Sequence, residues 1–367
     1  MDSADLPPVP DLILGPDSEV TVPGSPPAAR RRPARLRATP GSPLSRRSRI
    51  RWGLSAAVVV AVVSLFVALP RQSPRATLLV ADSGSNQLVA ITTVPAKVVR
   101  IASLQQPDII AVTPDGSTAI VTSGIGTIAV VDVATGKIRS ELTVGSVPTA
   151  VATSSNGSRA YVVSPRSFSV VATNLLSRQL SGIAPAGLVP TGVALSPNGD
   201  TVYVTDAGEN TVTPINLVTG EAGRPIRVGL EPTSIAITPN GTMAYVVDGG
   251  AGSVTPIRLS TGTAGTPIRV GTGSELSQIA ITPNGLTALV TDVRDNTVVP
   301  IHLASGSVGT PIKVGDEPEG IAISAGGATA YVTDYGSNAV TPVNLVSNTA
   351  GTPLPAGDHP IGIVIEK

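Results

Sequence analysis

Residues Glu231–Gly271 read EPTSIAITPNGTMAYVVDGGAGSVTPIRLSTGTAGTPIRVG, and close copies of this stretch lie on both sides of it. It contains four short runs rich in apolar and β-branched residues: Ser234–Ile237, Met243–Val247, Ser253–Leu259 and Pro267–Val270. The Pro-Asn-Gly, Gly-rich and Ser-Thr-Gly segments between these runs are typical of turns. Each copy therefore predicts one small antiparallel sheet of four strands.

The glycine of the first turn recurs at a spacing of 41 to 44 residues, at Gly116, Gly157, Gly199, Gly241, Gly285 and Gly327. A four-stranded unit with a period of about 40–45 residues is typical of a β-propeller blade. Second-strand runs occur seven times, beginning near Leu78, and first-strand runs also occur seven times, ending with Gly362–Ile365. The sequence therefore predicts an all-β, seven-bladed β-propeller over residues 78–367.

The two ends of this region are out of phase, because it opens on a second strand and closes on a first strand. A propeller protects its strand edges by closing into a ring. We therefore expect Gly362–Ile365 to complete the blade that begins at Leu78, so that both ends of the domain share one sheet.

Four copies of the second strand share a tyrosine followed by valine: Ala160–Val163, Val202–Asp206, Ala244–Asp248 and Ala330–Asp334. These repeats resemble the YVTN-type, YncE-like β-propellers of bacterial and archaeal surface or extracytoplasmic proteins. The resemblance covers about residues 75–367. It implies the propeller fold and a location outside the cytoplasm, and it implies no particular activity because the family is defined by its repeat.

Residues 1–51 differ sharply from the repeats. Ten prolines precede residue 44, the first 29 residues carry five acids and no base, and residues 30–51 carry nine arginines and no acid. Proline-rich sequence with blocks of like charge is typical of disorder. We interpret this segment as a disordered cytoplasmic tail.

Residues 52–69 read WGLSAAVVVAVVSLFVAL and contain no charge. A segment of this length is sufficient to cross a bilayer as a helix. The arginines that precede it predict that the N-terminus stays cytoplasmic and that the propeller lies outside, in a single-pass cell-membrane protein. A cleavable signal peptide is the alternative, but the small-residue cleavage site is missing. Residues 70–77 are then a short linker.

Composition excludes several classes of chemistry. The chain has no cysteine and only two histidines, so soft or imidazole metal ligands are few. Residues 52–367 carry a net charge of −4 and no basic stripe, which argues against nucleic acid as a partner. Phosphate-binding, dinucleotide-binding and nucleophile-elbow motifs are absent. The sequence predicts no cofactor, metal or catalytic residue.

Five second strands end in an aspartate: Asp82, Asp206, Asp248, Asp292 and Asp334. A ring of carboxylates near a channel mouth is one arrangement that binds a hard cation. An aspartate before a Gly-x-Asn turn is also what an Asx-type turn requires, and we favour this structural interpretation.

Residues that break the repeat are better candidates for a partner-binding face, because the fold does not require them. Most lie between a fourth and a first strand, and two lie between a second and a third strand, connections that open on the same face of a propeller. The predicted site comprises Glu275, Arg294, Asp316, Glu317, Glu319, Tyr335, Asp358 and His359.

We therefore expect a monomeric, membrane-anchored propeller that acts as a non-catalytic binding or scaffolding module for a protein or another envelope component. One alternative is an enzyme of the propeller lyase or lactonase kind with a metal above the channel. The other is a passive surface-layer or cell-wall element.

Overall fold

Each copy of the repeat forms one antiparallel sheet, and seven such sheets form a closed β-propeller. The structure is a computed structural model that describes residues 77–145, 147–271 and 275–366. The seven blades predicted from the sequence are confirmed. The predicted tail, membrane span and nearly all of the linker lie outside the described residues.

The first three blades have continuous outer strands. Blade 1 contains β1 (Thr77–Asp82), β2 (Gln87–Thr93) and β3 (Ala96–Ser103). Blade 2 contains β4 (Pro107–Val112), β5 (Thr118–Ser123), β6 (Thr127–Asp132) and β7 (Ile138–Thr143). Blade 3 contains β8 (Ala150–Thr153), β9 (Arg159–Ser164), the short 3-10 helix Pro165–Ser167, β10 (Ser169–Asn174) and β11 (Leu180–Pro185).

The remaining blades follow the same order. Blade 4 contains β12 (Pro190–Leu195), β13 (Thr201–Asp206), β14 (Thr211–Asn216) and β15 (Ile226–Arg227). Blade 5 contains β16 (Pro232–Ile237), β17 (Met243–Asp248), β18 (Ser253–Arg258), β19 (Thr263–Ala264) and β20 (Ile268–Arg269). Blade 6 contains β21 (Leu276–Ile281), β22 (Thr287–Asp292), β23 (Thr297–His302), β24 (Ser307–Val308) and β25 (Ile312–Lys313). Blade 7 contains β26 (Pro318–Ile323), β27 (Thr329–Asp334), β28 (Ala339–Asn344), β29 (Thr349–Ala350) and β30 (Leu354–Pro355).

The last strand, β31 (Pro360–Ile365), returns to blade 1 and pairs with β1. The register places Leu78 opposite Ile365 and Val80 opposite Ile363. The predicted closure by both ends of the domain is therefore confirmed. The closed ring lies entirely between Thr77 and Glu366, so a fragment of residues 70–367 retains every strand and every buried cluster.

Third-strand prolines interrupt the outer edge of blades 4 to 7. In blade 5, β18 pairs with β19 on one side of Pro256 and with β20 on the other. The carbonyl of Pro256 accepts a bond from the amide of Gly265, 2.7 Å away, between the two short strands. Pairing therefore stops at the proline and resumes beyond it, since proline itself has no N–H to donate.

The core lies between blades, where both faces of each sheet pack against a neighbour. Second strands are buried along almost their whole length, as in β27 with its pattern of one half-buried and five buried residues. The repeated tyrosines Tyr203, Tyr245 and Tyr331 are only 8%, 4% and 5% exposed and therefore belong to the packed core. Buried strands of this kind need no alternation of polar and apolar residues.

The aspartates that end the second strands have a structural role, although the bonds that Asp248 forms differ from those of the Asx-type turn that we favoured. In blade 5, the fully buried Asp248 accepts hydrogen bonds from Ser253 at 3.0 Å and from Thr255 at 2.6 Å. It also accepts the Gly229 amide at 2.9 Å, which ties the connection from blade 4 onto blade 5. A side chain at Gly229 would overlap this carboxyl group, so the repeat requires glycine there.

These buried carboxyls predict an unusual dependence of stability on pH. Burial raises the pKa of Asp206 and of Asp334 to about 6, from an ordinary value of 3.8. The folded state therefore binds more protons than the unfolded state between about pH 4 and pH 6. We expect the free energy of unfolding to rise as the pH is lowered from 7 to about 4.5, by an amount on the order of 2 kcal/mol for each group.

Urea unfolding of the 70–367 fragment between pH 4 and pH 8 measures this effect. The Asp206→Asn/Asp334→Asn variant should show a smaller slope because its amides do not titrate, while the raised pKa values of Asp108, Asp248 and Glu319 retain part of the effect. Below pH 4 the trend reverses, since hydrogen bonds lower the pKa of Asp115 and of Asp132 to about 2. Stability that increases steadily from pH 5 to pH 8 would contradict the assignment.

Candidate functional site

The seven innermost strands surround a central channel with a volume of about 390 Å³ at one level. One residue near the start of each inner strand lines it, in the order Asp108, Thr149, Thr191, Thr233, Ser277, Glu319 and Ile361. Four of these residues carry a hydroxyl group and one is apolar. The two carboxylates are therefore exceptions within an otherwise neutral ring.

Bulges in the inner strands present these side chains. In blade 4, Pro190 pairs with Asp206 and Gly192 pairs with Thr205, so that Thr191 between them has no partner. The registers of the strands that carry Asp108 and Glu319 shift at the same point. A bulge commonly re-aims a side chain in this way.

In four blades the bulge leaves one backbone amide of the inner strand without a partner in the strand pairing. The hydroxyl oxygen of a second-strand threonine accepts a hydrogen bond from this amide and so stabilises the bulge. Thr205 accepts the Gly192 amide and Thr333 accepts the Gly320 amide, each at 2.7 Å. The Val-Thr-Asp end of the repeat thus has two structural tasks. Its threonine holds the bulge beside the channel, and its aspartate holds the adjoining turn.

Asp108 and Glu319 lie on either side of the apolar Ile361, because β26, β31 and β4 are consecutive around the ring. Burial, and then repulsion by Glu319, raises the pKa of Asp108 to about 6. Burial also raises the pKa of Glu319, although Ser277 donates a hydrogen bond to its carboxylate at 2.7 Å. These carboxyls thus share a confined space in which a second negative charge is costly.

The negative potential extends to the surface. Glu275 and Glu317 lie close enough to raise the pKa of Glu319 further by repulsion. Both side chains belong to exposed connections between blades. The channel therefore opens through an acidic mouth, which we define as Asp108, Glu275, Glu317 and Glu319.

Connections between blades and the turns after the second strands meet on one face, as predicted. The Tyr335 amide donates to the Glu317 carbonyl at 2.9 Å, and the Gly84 amide donates to the Asp358 carbonyl at 2.8 Å. Turn asparagines complete the contact: Asn296 accepts the Glu317 amide at 2.9 Å, and Asn338 accepts the His359 amide at 2.8 Å.

The residue before the inner-strand proline adopts a left-handed backbone at several connections. Glu231, Glu317 and His359 have φ of 49°, 53° and 56°. This conformation is costly for a residue other than glycine, and more so before proline. Residues with side chains, rather than glycine, therefore occupy these strained positions on the face that carries the acidic mouth.

His359 forms a side-chain cluster with Asp358 and Tyr335 on this face. Its Nδ1 lies 3.1 Å from an oxygen of Asp358, and its ring centroid lies 4.5 Å from that of Tyr335. Both members of the ion pair remain about half exposed. The cluster therefore presents an imidazole, a phenol and a carboxylate to solvent at the junction of blades 7 and 1.

The residues predicted for the partner-binding face divide into three groups. Asp316, Glu317, Tyr335, Asp358 and His359 gather in the adjoining connections and turns of blades 6, 7 and 1. Arg294 occupies the turn after β22, and Glu275 lies in the preceding connection. Glu319, which the sequence placed with the loops, instead lies in inner strand β26 and lines the channel.

Asp108 is the member of the acidic mouth that the sequence analysis missed. Its position in the repeat contained the necessary information, since it aligns with Thr149, Thr191 and Thr233 at the start of an inner strand. Within the described ranges, no three acidic or histidine side chains lie close enough to hold a single metal ion.

Comparison with known proteins identifies the fold. A hydrazine synthase chain from Kuenenia stuttgartiensis is 24% identical, with a TM-score of 0.66 over 70% of this chain and 89% of that one. A candidate 6-phosphogluconolactonase from Bacteroides uniformis is 16% identical, with a TM-score of 0.68 over 80% of this chain and 100% of that one. An inactive virginiamycin B lyase variant from Staphylococcus aureus, crystallised with quinupristin, is 18% identical, with a TM-score of 0.59 over 68% of this chain and 87% of that one.

No known family model matches the chain, and no curated protein matches it significantly in sequence. At these identities the structural likenesses establish the fold alone. The resemblance to YVTN-type repeats stays a prediction, whereas the seven-bladed propeller that it implied is confirmed.

Proposed function

We propose that this protein is a non-catalytic binding module that captures a cationic partner at the acidic mouth of its propeller. The observation that carries the proposal is the pair of carboxylates, Asp108 and Glu319, that two bulged inner strands place in one channel. The repeat itself supplies hydroxyl groups at this level. Acids at two positions are therefore additions that the fold does not need.

Electrostatics support a positively charged ligand. The unbound carboxylates repel each other, and burial has already removed part of their hydration. A cationic group that enters the channel relieves the repulsion and replaces lost water contacts. Glu275 and Glu317 at the surface would attract such a group as it approaches and would raise its association rate at low salt.

A lysine-rich peptide serves as a defined probe for this function. We expect the 70–367 fragment to bind it at pH 7.5 and low ionic strength, with affinity that declines as salt is added. A glutamate-rich peptide of equal length is the matched control and should not bind. Equal binding of both peptides, or of neither, would contradict the proposal.

We further propose that residues 52–69 anchor the protein in the cell membrane with the propeller outside. Among the residues that the structure describes, none belongs to a helix long and apolar enough to cross a membrane. The described chain begins at Thr77, whose carbonyl accepts the Glu366 amide at 2.8 Å, on the face opposite the acidic mouth.

Protease treatment of intact cells tests this topology. We expect the propeller to be accessible from outside and a small N-terminal fragment to remain with the membrane. Recovery of mature protein that begins after residue 69 and is free in the medium would show instead that the segment is a cleaved signal peptide.

An enzymatic function is the second candidate, and the His359 cluster is the observation that favours it. Asp358 could orient the imidazole while the other ring nitrogen acts as a general base. Turnover of a lactone or a cyclic ester by the 70–367 fragment, abolished by His359→Ala, would contradict the non-catalytic part of our proposal.

A further inference from the structure

One position of the outer strands is basic in three consecutive blades. It is the residue that pairs with, or lies opposite, the first residue of the third strand. Around the ring this position is occupied by Ser103, Thr143, Pro185, Arg227, Arg269, Lys313 and Pro355. We call Arg227, Arg269 and Lys313 the basic row.

The row is exposed on the outer rim of blades 4 to 6. Lys313 donates to the Asp295 carbonyl at 2.6 Å, and none of the three residues forms a salt bridge within the part of the chain that the structure describes. Residues 221–228, 263–270 and 307–314, which form these outer edges, contain one acid, Glu221, and a fourth base, Arg224. The rim therefore has a positive band that the net charge of the domain conceals.

Shared ancestry of the repeats does not by itself explain the row. Blade 7 has the same strand pattern and the same third-strand proline as blades 4 to 6, yet Pro355 occupies the corresponding position. A proline there shows that the fold does not require a base. The charge is therefore a property of three neighbouring blades rather than of the architecture.

Two grooves between blades lie beside members of the row, and each groove contains one of them. Arg224 and Arg227 line a groove of about 840 Å³ between blades 4 and 5, opposite Thr261 and Thr263. Arg269 lines a second groove of about 570 Å³ between blades 5 and 6, with Thr266 and Ser305. Each of these two grooves thus combines guanidinium with hydroxyl groups.

We propose that the outer rim of blades 4 to 6 binds an acidic polysaccharide that runs along the basic row. Guanidinium groups pair with carboxylates in bidentate geometry, and the groove hydroxyls offer hydrogen bonds to sugar hydroxyls. Single-stranded nucleic acid is typically held by stacking on exposed aromatic rings, whereas the tyrosine that lines the second groove, Tyr245, is buried. A chain with one charge per sugar can contact successive blades at once, which multiplies weak contacts.

Polygalacturonate is a suitable probe, and digalacturonate reports the contact with one blade. We expect the 70–367 fragment to bind the polymer at least tenfold more tightly per molecule than the disaccharide in calorimetric titrations. The Arg227→Gln/Arg269→Gln/Lys313→Gln variant should lose at least tenfold in affinity for the polymer. The control is Lys97→Gln/Arg100→Gln/Lys137→Gln, which removes the same charge from the rim of blades 1 and 2 and should change binding less than twofold.

Other results of these titrations would contradict the proposal. Equal losses in the two triple variants would overturn the row as the binding surface, as would equal affinity for polymer and disaccharide. Polyuridylate that binds as tightly through the same three residues would overturn the assignment to a polysaccharide. Circular dichroism shows whether each variant is folded.

Discussion

Removal of residues 362–367 should abolish the cooperative folding of the propeller. Strand β31 supplies the inner strand of blade 1, where Ile363 and Ile365 face Val80 and Leu78. Ile363 also belongs to the apolar cluster that joins blade 1 to Tyr331 of blade 7. Burial of each large apolar side chain contributes about 1.5–3 kcal/mol, and a domain is stable by only about 5–15 kcal/mol in total. Loss of the strand therefore removes a large share of the stability.

The truncation also exposes the edge of strand β1. Without β31, the buried strand β1 would present free backbone groups and apolar side chains at the centre of the ring. Unpaired edges of this kind recruit strands from other molecules. We expect the 70–361 fragment to elute as aggregates in size-exclusion chromatography and to show no cooperative melt by circular dichroism.

Two variants distinguish the effect of losing strand β31 from the effect of shortening the chain. The 70–365 fragment retains β31 and should remain monomeric, with a melting temperature within a few degrees of that of the longer fragment. Gly362→Val should resemble the truncation, since a side chain at this position would overlap the Asp108 carbonyl of the neighbouring strand. A 70–361 fragment that stays monomeric and melts normally would show that the ring does not close through these residues.

The sequence predicted these features because they depend on local patterns that recur. Glycine at the Pro-Asn-Gly turns, with φ of 68° at Gly241 and 69° at Gly285, marks each hairpin independently of its neighbours. Closure followed from the offset between the first and last strands. The interruption at Pro256 has a similarly local origin, since proline has no amide to donate.

The acidic mouth could be predicted only in part, because it depends on where side chains point. Glu319 is three residues before Ala322, within a segment that reads equally well as a loop or a strand. Its direction into the channel results from a bulge, and the bulge depends on Thr333 in another strand. The left-handed backbone of Glu317 likewise depends on the amide contact with Asn296. Such tertiary contacts leave no periodic trace in the sequence.

Neutralisation of the two channel carboxylates should have the largest effect on ligand binding. In Asp108→Asn/Glu319→Gln both side chains keep nearly their full size, and the glutamine can still accept the hydrogen bond from Ser277. We expect the affinity for the lysine-rich peptide to fall at least tenfold, because the buried charges interact with a cation more strongly than exposed ones do. Glu317→Gly removes a surface charge and relieves the strained backbone, and it should weaken binding no more than threefold.

The pH profile tests the same assignment independently. Since burial raises the pKa of Asp108 to about 6, this carboxyl gains a proton as the pH falls from 7.5 to 5, and the raised pKa of Glu319 acts in the same direction. Binding of the peptide by the natural protein should weaken over this interval, whereas the double variant should show little change. Binding by the natural protein that is constant from pH 5 to pH 7.5 would exclude these two groups as the main ligands.

Stability provides the strongest distinction between a binding site and a structural pair. If the two carboxylates only supported the fold, their neutralisation would lower the free energy of unfolding of the protein. Here the folded state confines two like charges beside Ile361, at a cost that neutral side chains avoid. We therefore expect Asp108→Asn/Glu319→Gln to raise the free energy of unfolding at pH 8 while it lowers the affinity for cations. Higher stability together with weaker binding is typical when groups that serve binding are removed. A double variant that is less stable at pH 8 would instead assign Asp108 and Glu319 to the support of the fold.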